Sequence, residues 1–404
     1  MLKKFNFLIF LIVTSYGVYA QPDTANFKKT FNQPDSNVNP GSHLRISLVT
    51  CGPGDEEIWE VFGHTAVRVI DSAYHTDLVY NYGTFDYGPD FEIQFMRGKL
   101  LYSLSVAEFD GFMPEYVIAK RSMEEQVLLL NDEQKKELYA YLNRNAEPAH
   151  KYYKYDFFFD NCATRIRDVF PHVLKGGFVF GRTMQKDARI TFRDIIIRYF
   201  YRDHWTRVGT NLLLGSKIDK PMTNEDIMFL PDYLRYGVGG ATLNGNKIAS
   251  ASIPILPGSE MAKAGVNQPF ILMCLVALIT IAGLTVKRLR ILGKIMSMLL
   301  LFVTGLLGCL MLVMWFATDH QACADNYNLL WCLPPNIFIA FFNPKGKSRY
   351  SLIGIVLIFV SLAMHLFKVQ GLTLFELSPL LLSLLFVYGM IFKNSHPKPA
   401  TQNA

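Results

Sequence analysis

Hydrophobic and polar positions divide the chain into three stretches. At the start, Lys3 and Lys4 precede an apolar run from Phe5 to Val13, with Val18-Tyr19-Ala20 just before Gln21. A charged lead, a short apolar core and small residues before the cleavage point read as a secretory signal peptide over 1–20. Residues 21–42, rich in Asn, Pro, Asp and Ser, read as a disordered lead-in. Beyond them the pattern alternates between period two and period three to four. Leu44 to Val49 alternates as a strand and ends at the turn Cys51-Gly52-Pro53-Gly54-Asp55. Val61 to Ile70 is a second strand, with Leu78 to Tyr82 as its neighbour, and Tyr152 to Phe159 is aromatic and strand-like. Asn131-Asp132-Glu133-Gln134 is a capping box opening a helix to about Asn145; Thr191-Phe192-Arg193-Asp194 opens another through about Trp205. Mixed helices and strands predict an α+β domain over 43–240, followed by a linker over 241–268 rich in Gly, Ala, Ser and Pro.

The last third is apolar on a longer scale. Phe270 to Val286, Ile295 to Ala317, Ser351 to Phe367 and Leu372 to Phe392 each approach the roughly 20 residues that a membrane-crossing helix needs. Four such stretches in succession are too many for the buried helices of a soluble core. They predict an α-helical transmembrane bundle over 269–393 and a C-terminal tail over 394–404. Leu329 to Phe342 is also apolar, but short and broken by Pro334-Pro335, so four spans with a re-entrant segment and five spans both stand. Lys287, Arg288, Arg290 and Lys294 between the first two spans belong on the cytoplasmic side, and the same charge rule favours a fifth crossing. The chain is expected to be a multi-pass membrane protein with its N-terminal domain on the exported side.

Charge adds little to this picture. The net charge of +6 is concentrated beside the spans, where topology explains it, and no basic cluster is interleaved with aromatics, so no nucleic-acid partner is implied. The nine histidines and six cysteines show no metal-ligand spacing, so neither metal nor cofactor is expected.

The candidate chemistry is a thiol. Asp160 or Asn161 caps a helix whose first turn holds Cys162, where exposed N–H groups and the positive helix end favour thiolate. Those N–H groups, with the amide of Cys162 itself, are candidates for an oxyanion hole. His64 lies on a strand, sharing a face with Ala66 and Arg68, and is the candidate base. A catalytic imidazole needs an orienting partner; Asn81 is the first candidate, with Asp86 and Tyr80 behind it. Against this stands a buried structural cysteine, or a disulfide between Cys162 and Cys51. Cys51 lacks a helix amide array and reads as a structural or substrate-groove residue. In the loop after the second span, His320, Asn326 and Asn328 are polar groups bracketed by apolar runs, and are either functional or ordinary interfacial residues. Cys323 and Cys332 are either a disulfide or spare thiols; Cys274 and Cys309 are inert.

Several motifs together carry a resemblance. Leu48-Val49-Thr50-Cys51-Gly52-Pro53-Gly54, Phe62-Gly63-His64-Thr65-Ala66-Val67-Arg68-Val69 and Tyr80-Asn81-Tyr82-Gly83-Thr84-Phe85-Asp86 resemble the exported domain of Lnb-type lipoprotein N-acyltransferases. Phe159-Asp160-Asn161-Cys162-Ala163-Thr164-Arg165 and Leu212 to Asp219 agree, as do Thr318-Asp319-His320 and Asn326 to Trp331 in the membrane half. The order of histidine before an Asn-Cys helix start is distantly similar to circularly permuted NlpC-like thiol enzymes, including lecithin:retinol acyltransferase relatives. The resemblance implies a papain-like fold with Cys162 as nucleophile and His64 as base. It further implies transfer of an acyl chain from a phospholipid to the α-amino group of a diacylglyceryl-cysteine lipoprotein. Cys51, Arg68, Asn161, Arg165, His320, Asn326 and Asn328 are then candidates for substrate binding. Glu60 departs from the small polar residue that the pattern leads one to expect. A thiol hydrolase acting on phospholipid or cell-wall peptide, and a non-catalytic membrane scaffold, are the competing functions.

Overall fold

The computed structural model describes residues 41–396, apart from positions 56, 87, 186–187, 260–262 and 343–344. The leader at 1–20, most of the lead-in and most of the C-terminal tail lie outside the described residues. The chain forms two compact units. The first comprises the described residues of Met1–Tyr87, Leu101–Asp187 and Thr223–Met261; the second comprises Gly88–Leu100, Ala188–Met222 and the chain from Ala262 onward.

The first unit is built on a seven-stranded antiparallel sheet. Its strands are β1 (Leu44–Cys51), β2 (His64–Asp71), β3 (Thr76–Phe85), β4 (Leu101–Glu108), β5 (Met123–Val127), β6 (Tyr152–Lys154) and β7 (Ile253–Leu256). They run in the order β7-β5-β1-β2-β3-β4-β6. Four helices flank the sheet: α1 (Phe109–Ile118), α2 (Asp132–Ala146), α3 (Cys162–Leu174) and α4 (Pro231–Gly239). Val79 packs with Phe109 and Phe112 of α1, while its neighbour Tyr80 donates to Asn143 of α2. Adjacent residues of a strand point to opposite faces, so α1 and α2 cover the two sides. Central strand β1 is therefore buried nearly throughout, with Ile46, Leu48 and Val49 at most 1% exposed. Each such side chain contributes about 1.5–3 kcal/mol of burial.

Three expectations change here. The aromatic run Tyr152 to Phe159 is a strand only as far as Lys154. Asp156 then accepts the N–H groups of Phe158 and Phe159 at 3.0 and 3.2 Å, and this side-chain turn halts the ladder. The helix opened by Thr191 stops at Tyr199, and a second helix, His204–Leu213, starts afresh from Asp203, whose carboxylate caps Thr206 N–H at 3.1 Å. The expected linker over 241–268 contains β7, an edge strand paired with β5, so most of it belongs to the domain.

Among its described residues the second unit contains four helices long and apolar enough to cross a membrane: α5 (Gln268–Thr285), α6 (Arg290–Phe316), α8 (Lys347–Leu366) and α9 (Leu374–Ser395). Between α6 and α8 lies the six-residue α7 (Asn336–Phe341). The segment leading into and through α7 runs antiparallel to α6. Cys332 O faces Gly308, Ile337 N faces Gly305 and Phe341 stacks edge-on to Phe302 at 5.4 Å. Glycine at 305 and 308 lets the two backbones approach closely. The start of α8 meets Asn336 through Tyr350, and the residues past its end meet Asn326 and Tyr327 through Gln370. Helix α8 therefore runs parallel to α6. Phe270 stacks on Phe375 at 4.3 Å, so α5 and α9 share the opposite sense. The successive segments alternate in direction; the one between α6 and α8 is short and broken by Pro334-Pro335, and the other four are long and apolar enough to cross a membrane. The basic residues of the α5–α6 turn, the start of α8 and the end of α9 fall at one end, as the charge rule requires.

At the other end, residues 188–222 are tied to the membrane helices by buried charge. Arg193, 2% exposed, donates to both carboxylate oxygens of Asp219 at 2.8 and 2.9 Å and to Asn211, Leu214 and Gly215. Asp219 in turn accepts Gly371 N–H at 2.8 Å, and Arg207 pairs with Glu376 at the start of α9. The domain boundary expected at 240 is thus interrupted: 188–222 groups with the membrane helices.

Candidate active site

The site begins with a helix cap. Asn161 is extended, at φ −120° and ψ −174°, and its Oδ1 accepts Thr164 N–H at 2.9 Å. Thr164 Oγ1 accepts Asn161 N–H at 2.8 Å, completing a reciprocal box that fixes Cys162 as the first residue of α3. The other end of the Asn161 amide donates to Phe157 O at 2.7 Å and Phe229 O at 2.9 Å. Phe157 itself packs against Phe62 and Phe229. The turn that presents the thiol is therefore held by both hydrogen bonds and aromatic packing.

His64 opens β2, and its Nε2 lies 2.6 Å from Asn81 Oδ1 on β3. With Nε2 occupied, Nδ1 is the ring nitrogen left to bond Cys162. Next to this pair, β3 carries a bulge at Gly83. Its φ is +99°, and a side chain there would start 3.7 Å from both Cys162 Cβ and His64 Cε1. Only glycine takes this conformation without strain, and it leaves the flank of the pair open.

Electrostatics couple the two groups. Burial opposes the Cys162 thiolate, but the charge and hydrogen bond of His64, with the N–H groups of Thr65 and Ala163, outweigh it and pull the thiol below its usual value. Burial likewise opposes a charged His64, yet the Cys162 thiolate and the bond to Asn81 raise the imidazole above its usual value, against a smaller opposing effect of Arg121. Both shifts favour thiolate beside imidazolium, the form in which a cysteine is most nucleophilic. Because Ala163 N–H faces the sulfur and Thr164 N–H is taken by Asn161, the expected oxyanion donors narrow to the amide of Cys162 itself.

The other candidate residues take different places. Cys51 stands opposite His64 in the β1–β2 register, but its side chain is fully buried among Val49, Ala66, Phe112 and Met123. Burial pushes its thiol up to about 12. It is a core residue and neither a groove residue nor a nucleophile. Arg68 makes a bidentate pair with Asp77 at 2.5 and 2.7 Å and lies 3.6 Å over the Phe109 ring, so it stitches the sheet to α1. Asn161 is committed to the cap. Arg165 pairs with Asp160 and stacks 4.1 Å over Tyr153. It borders a polar cavity of about 330 Å³ shared with Tyr82, Tyr141, Asn145 and Asp168. Asn326 and Asn328 are 1% exposed and donate to Leu212 O and Leu213 O, so they are structural ties within the second unit. His320 bonds Phe95 O at 3.1 Å. All six cysteines are free thiols, so of the alternatives weighed for Cys51–Cys162 and Cys323–Cys332 the structure holds the unpaired one.

Two neighbours of the pair escaped the sequence reading. Gly83 had a signal, since an isolated glycine within a strand marks a bulge or a close approach. Arg121 had none; it reaches Gly52 O at 2.9 Å and Glu60 at 3.2 Å across a long sequence separation. That ion pair accounts for the acidic residue at position 60.

Residues 31–196 match the Lnb N-terminal periplasmic domain, and residues 262–397 match the Lnb transmembrane domain. Comparison with curated proteins and with solved structures gives no match. Mixed sheet and helices in the first unit, apolar helices in the second and two matches covering most of the chain agree with one another. The chain belongs to the Lnb family and is a membrane protein with an N-terminal periplasmic domain.

Proposed function

We propose that the protein is an apolipoprotein N-acyltransferase working through a thioester on Cys162, with phospholipid as acyl donor and diacylglyceryl-cysteine lipoproteins as acceptors. The observation that carries this reading is His64 held between Asn81 and the Cys162 thiol at a helix N-terminus. The thiolate attacks the ester carbonyl of the phospholipid, and charge develops on the carbonyl oxygen beside the Cys162 amide. Collapse breaks the C–O bond; His64 gives its proton to the departing lysophospholipid oxygen, leaving a thioester. The lipoprotein α-amine then attacks the thioester, His64 accepts its proton, and the C–S bond breaks to restore the thiolate. Both substrates are lipid-anchored, so attachment of the thiol domain to membrane helices raises their effective concentration.

Intact-mass analysis after exposure to phospholipid tests the first half-reaction. An acyl-sized mass gain on Cys162, removed by hydroxylamine and absent in Cys162→Ala, is expected; no adduct under turnover conditions overturns the reading. Adding a diacylglyceryl-cysteine peptide tests the second. Labelled acyl chain should move to the peptide amine, whereas release of free fatty acid alone identifies a thiol hydrolase.

A further inference from the structure

Between β3 and β4 the chain makes an excursion, 88–100, that groups with the membrane helices and carries the six-residue helix Phe91–Met96. Its attachment is specific. Asp319 N–H donates to Arg97 O at 2.8 Å, and His320 Nε2 lies 3.1 Å from Phe95 O. Gly98, at φ +65°, brings the two backbones together: a Cβ there would lie 3.1 Å from His320 N and 3.2 Å from the Asp319 carbonyl carbon. Asp319 and His320 follow directly on the end of α6, where Trp315 and Phe316 stack at 4.8 Å and Phe316 is 72% exposed. Aromatic residues at the end of a span mark the level at which it leaves the hydrocarbon.

At that level the excursion exposes side chains that water does not favour. Ile93, Phe95 and Met96 are 50%, 48% and 42% exposed, and Phe91 stacks on Phe95 at 6.1 Å. Arg97 and Lys99 are exposed beside them, as are Asp90 and Glu92 nearer the start of the excursion. Apolar side chains with adjacent cations, fixed to the end of a membrane helix, are the composition of a segment lying in a bilayer interface. We propose that 88–100 is a membrane-dipping arm: its apolar side chains enter the periplasmic leaflet among phospholipid acyl chains, and Arg97 and Lys99 meet the phosphates. His320 and Gly98 are the latch that sets its depth. The inference concerns lipid contact and holds whichever reaction Cys162 performs.

Photo-crosslinking tests it on the full-length protein in phospholipid nanodiscs. Benzoylphenylalanine placed at Phe95, at Met96 or, as reference, at Phe316 is irradiated and mapped by peptide mass spectrometry. Phospholipid adducts at 95 and 96 in yield similar to 316 are expected. Adducts at 316 without any at 95 and 96 would overturn the proposal, as would crosslinks from 95 to a second copy or another protein. Gly98→Val should release the latch and lower the adduct yield at 95 several-fold while leaving 316 unchanged. An unchanged yield at 95 would sink the latch.

Discussion

Asn81 Oδ1 lies 2.6 Å from His64 Nε2, so the side chain that holds the imidazole comes from the strand next to the one that carries the histidine. The bond fixes which ring nitrogen faces the thiol. Asn81→Ala removes it without touching Cys162 or His64. Misplacement of a reacting group by an ångström costs up to about 100-fold, and a loss of that order in kcat is expected. Asn81→Asp keeps an acceptor and should retain most of the activity. A change in KM alone, with kcat intact, would count against an orienting role.

Each group shifts the titration of the other. The Cys162 thiol is lowered and the His64 imidazole raised, and both shifts favour thiolate beside imidazolium. Protonation of the sulfur at low pH and loss of the imidazolium proton at high pH both remove that form. Acyl-enzyme formation should therefore follow a bell, and alkylation of Cys162 by iodoacetamide should persist well below the range of ordinary thiols. His64→Ala removes the cation, moving the alkylation limb up toward about 8.5 and lowering acyl transfer by about 10²–10⁴. An alkylation profile unaffected by His64→Ala would refute the pairing.

Two thiols in the first unit are chemically separable. Cys51 is buried and its thiol pushed up to about 12, so it should resist alkylation in the folded protein. Cys51→Ala should keep acyl transfer and Cys162 labelling while costing on the order of 1 kcal/mol in stability. Loss of labelling at Cys162 in that variant would assign Cys51 a role beyond packing.

Inside the membrane unit, Asn336 joins three helices. Its Oδ1 accepts the hydroxyls of Tyr350 and Tyr388, both at 2.7 Å, and its Nδ2 donates to Thr304 Oγ1 at 3.1 Å. Asn336→Leu leaves buried hydroxyls without their acceptor, a cost of about 1–3 kcal/mol. The midpoint of thermal unfolding in detergent should fall accordingly. Adding Tyr350→Phe and Tyr388→Phe should restore part of it, because an apolar set has no unmet partner. Equal stability of Asn336→Leu and the parent would exclude this hub as a determinant of the bundle.

The parts legible in the sequence were those that a few neighbouring residues decide. The Asn131 and Thr191 boxes formed their caps, Asn161 capped α3, and the strands holding His64 and Asn81 formed, although Val61 and Phe62 fall in a 3-10 turn before the first of them. Long apolar runs became the four long helices of the second unit. These features follow from period, capping and length, which are local properties.

What a residue meets across space was decided by the tertiary structure. Strand β7 reads as a flexible linker because its four residues gain their order from β5, more than a hundred positions earlier. Asn326 reads as a functional or interfacial group, but it satisfies carbonyls on a distant turn. His320 reads as a possible participant in chemistry, yet it bonds Phe95 of the 88–100 arm. Local pattern alone specified that a cysteine would open a helix, that a histidine would stand on a strand, and that the chain would enter a membrane. Only the packing of strand on strand brought Asn81 to His64 and His64 to Cys162, because burial and hydrogen bonding between remote segments leave no period in the chain that encodes them.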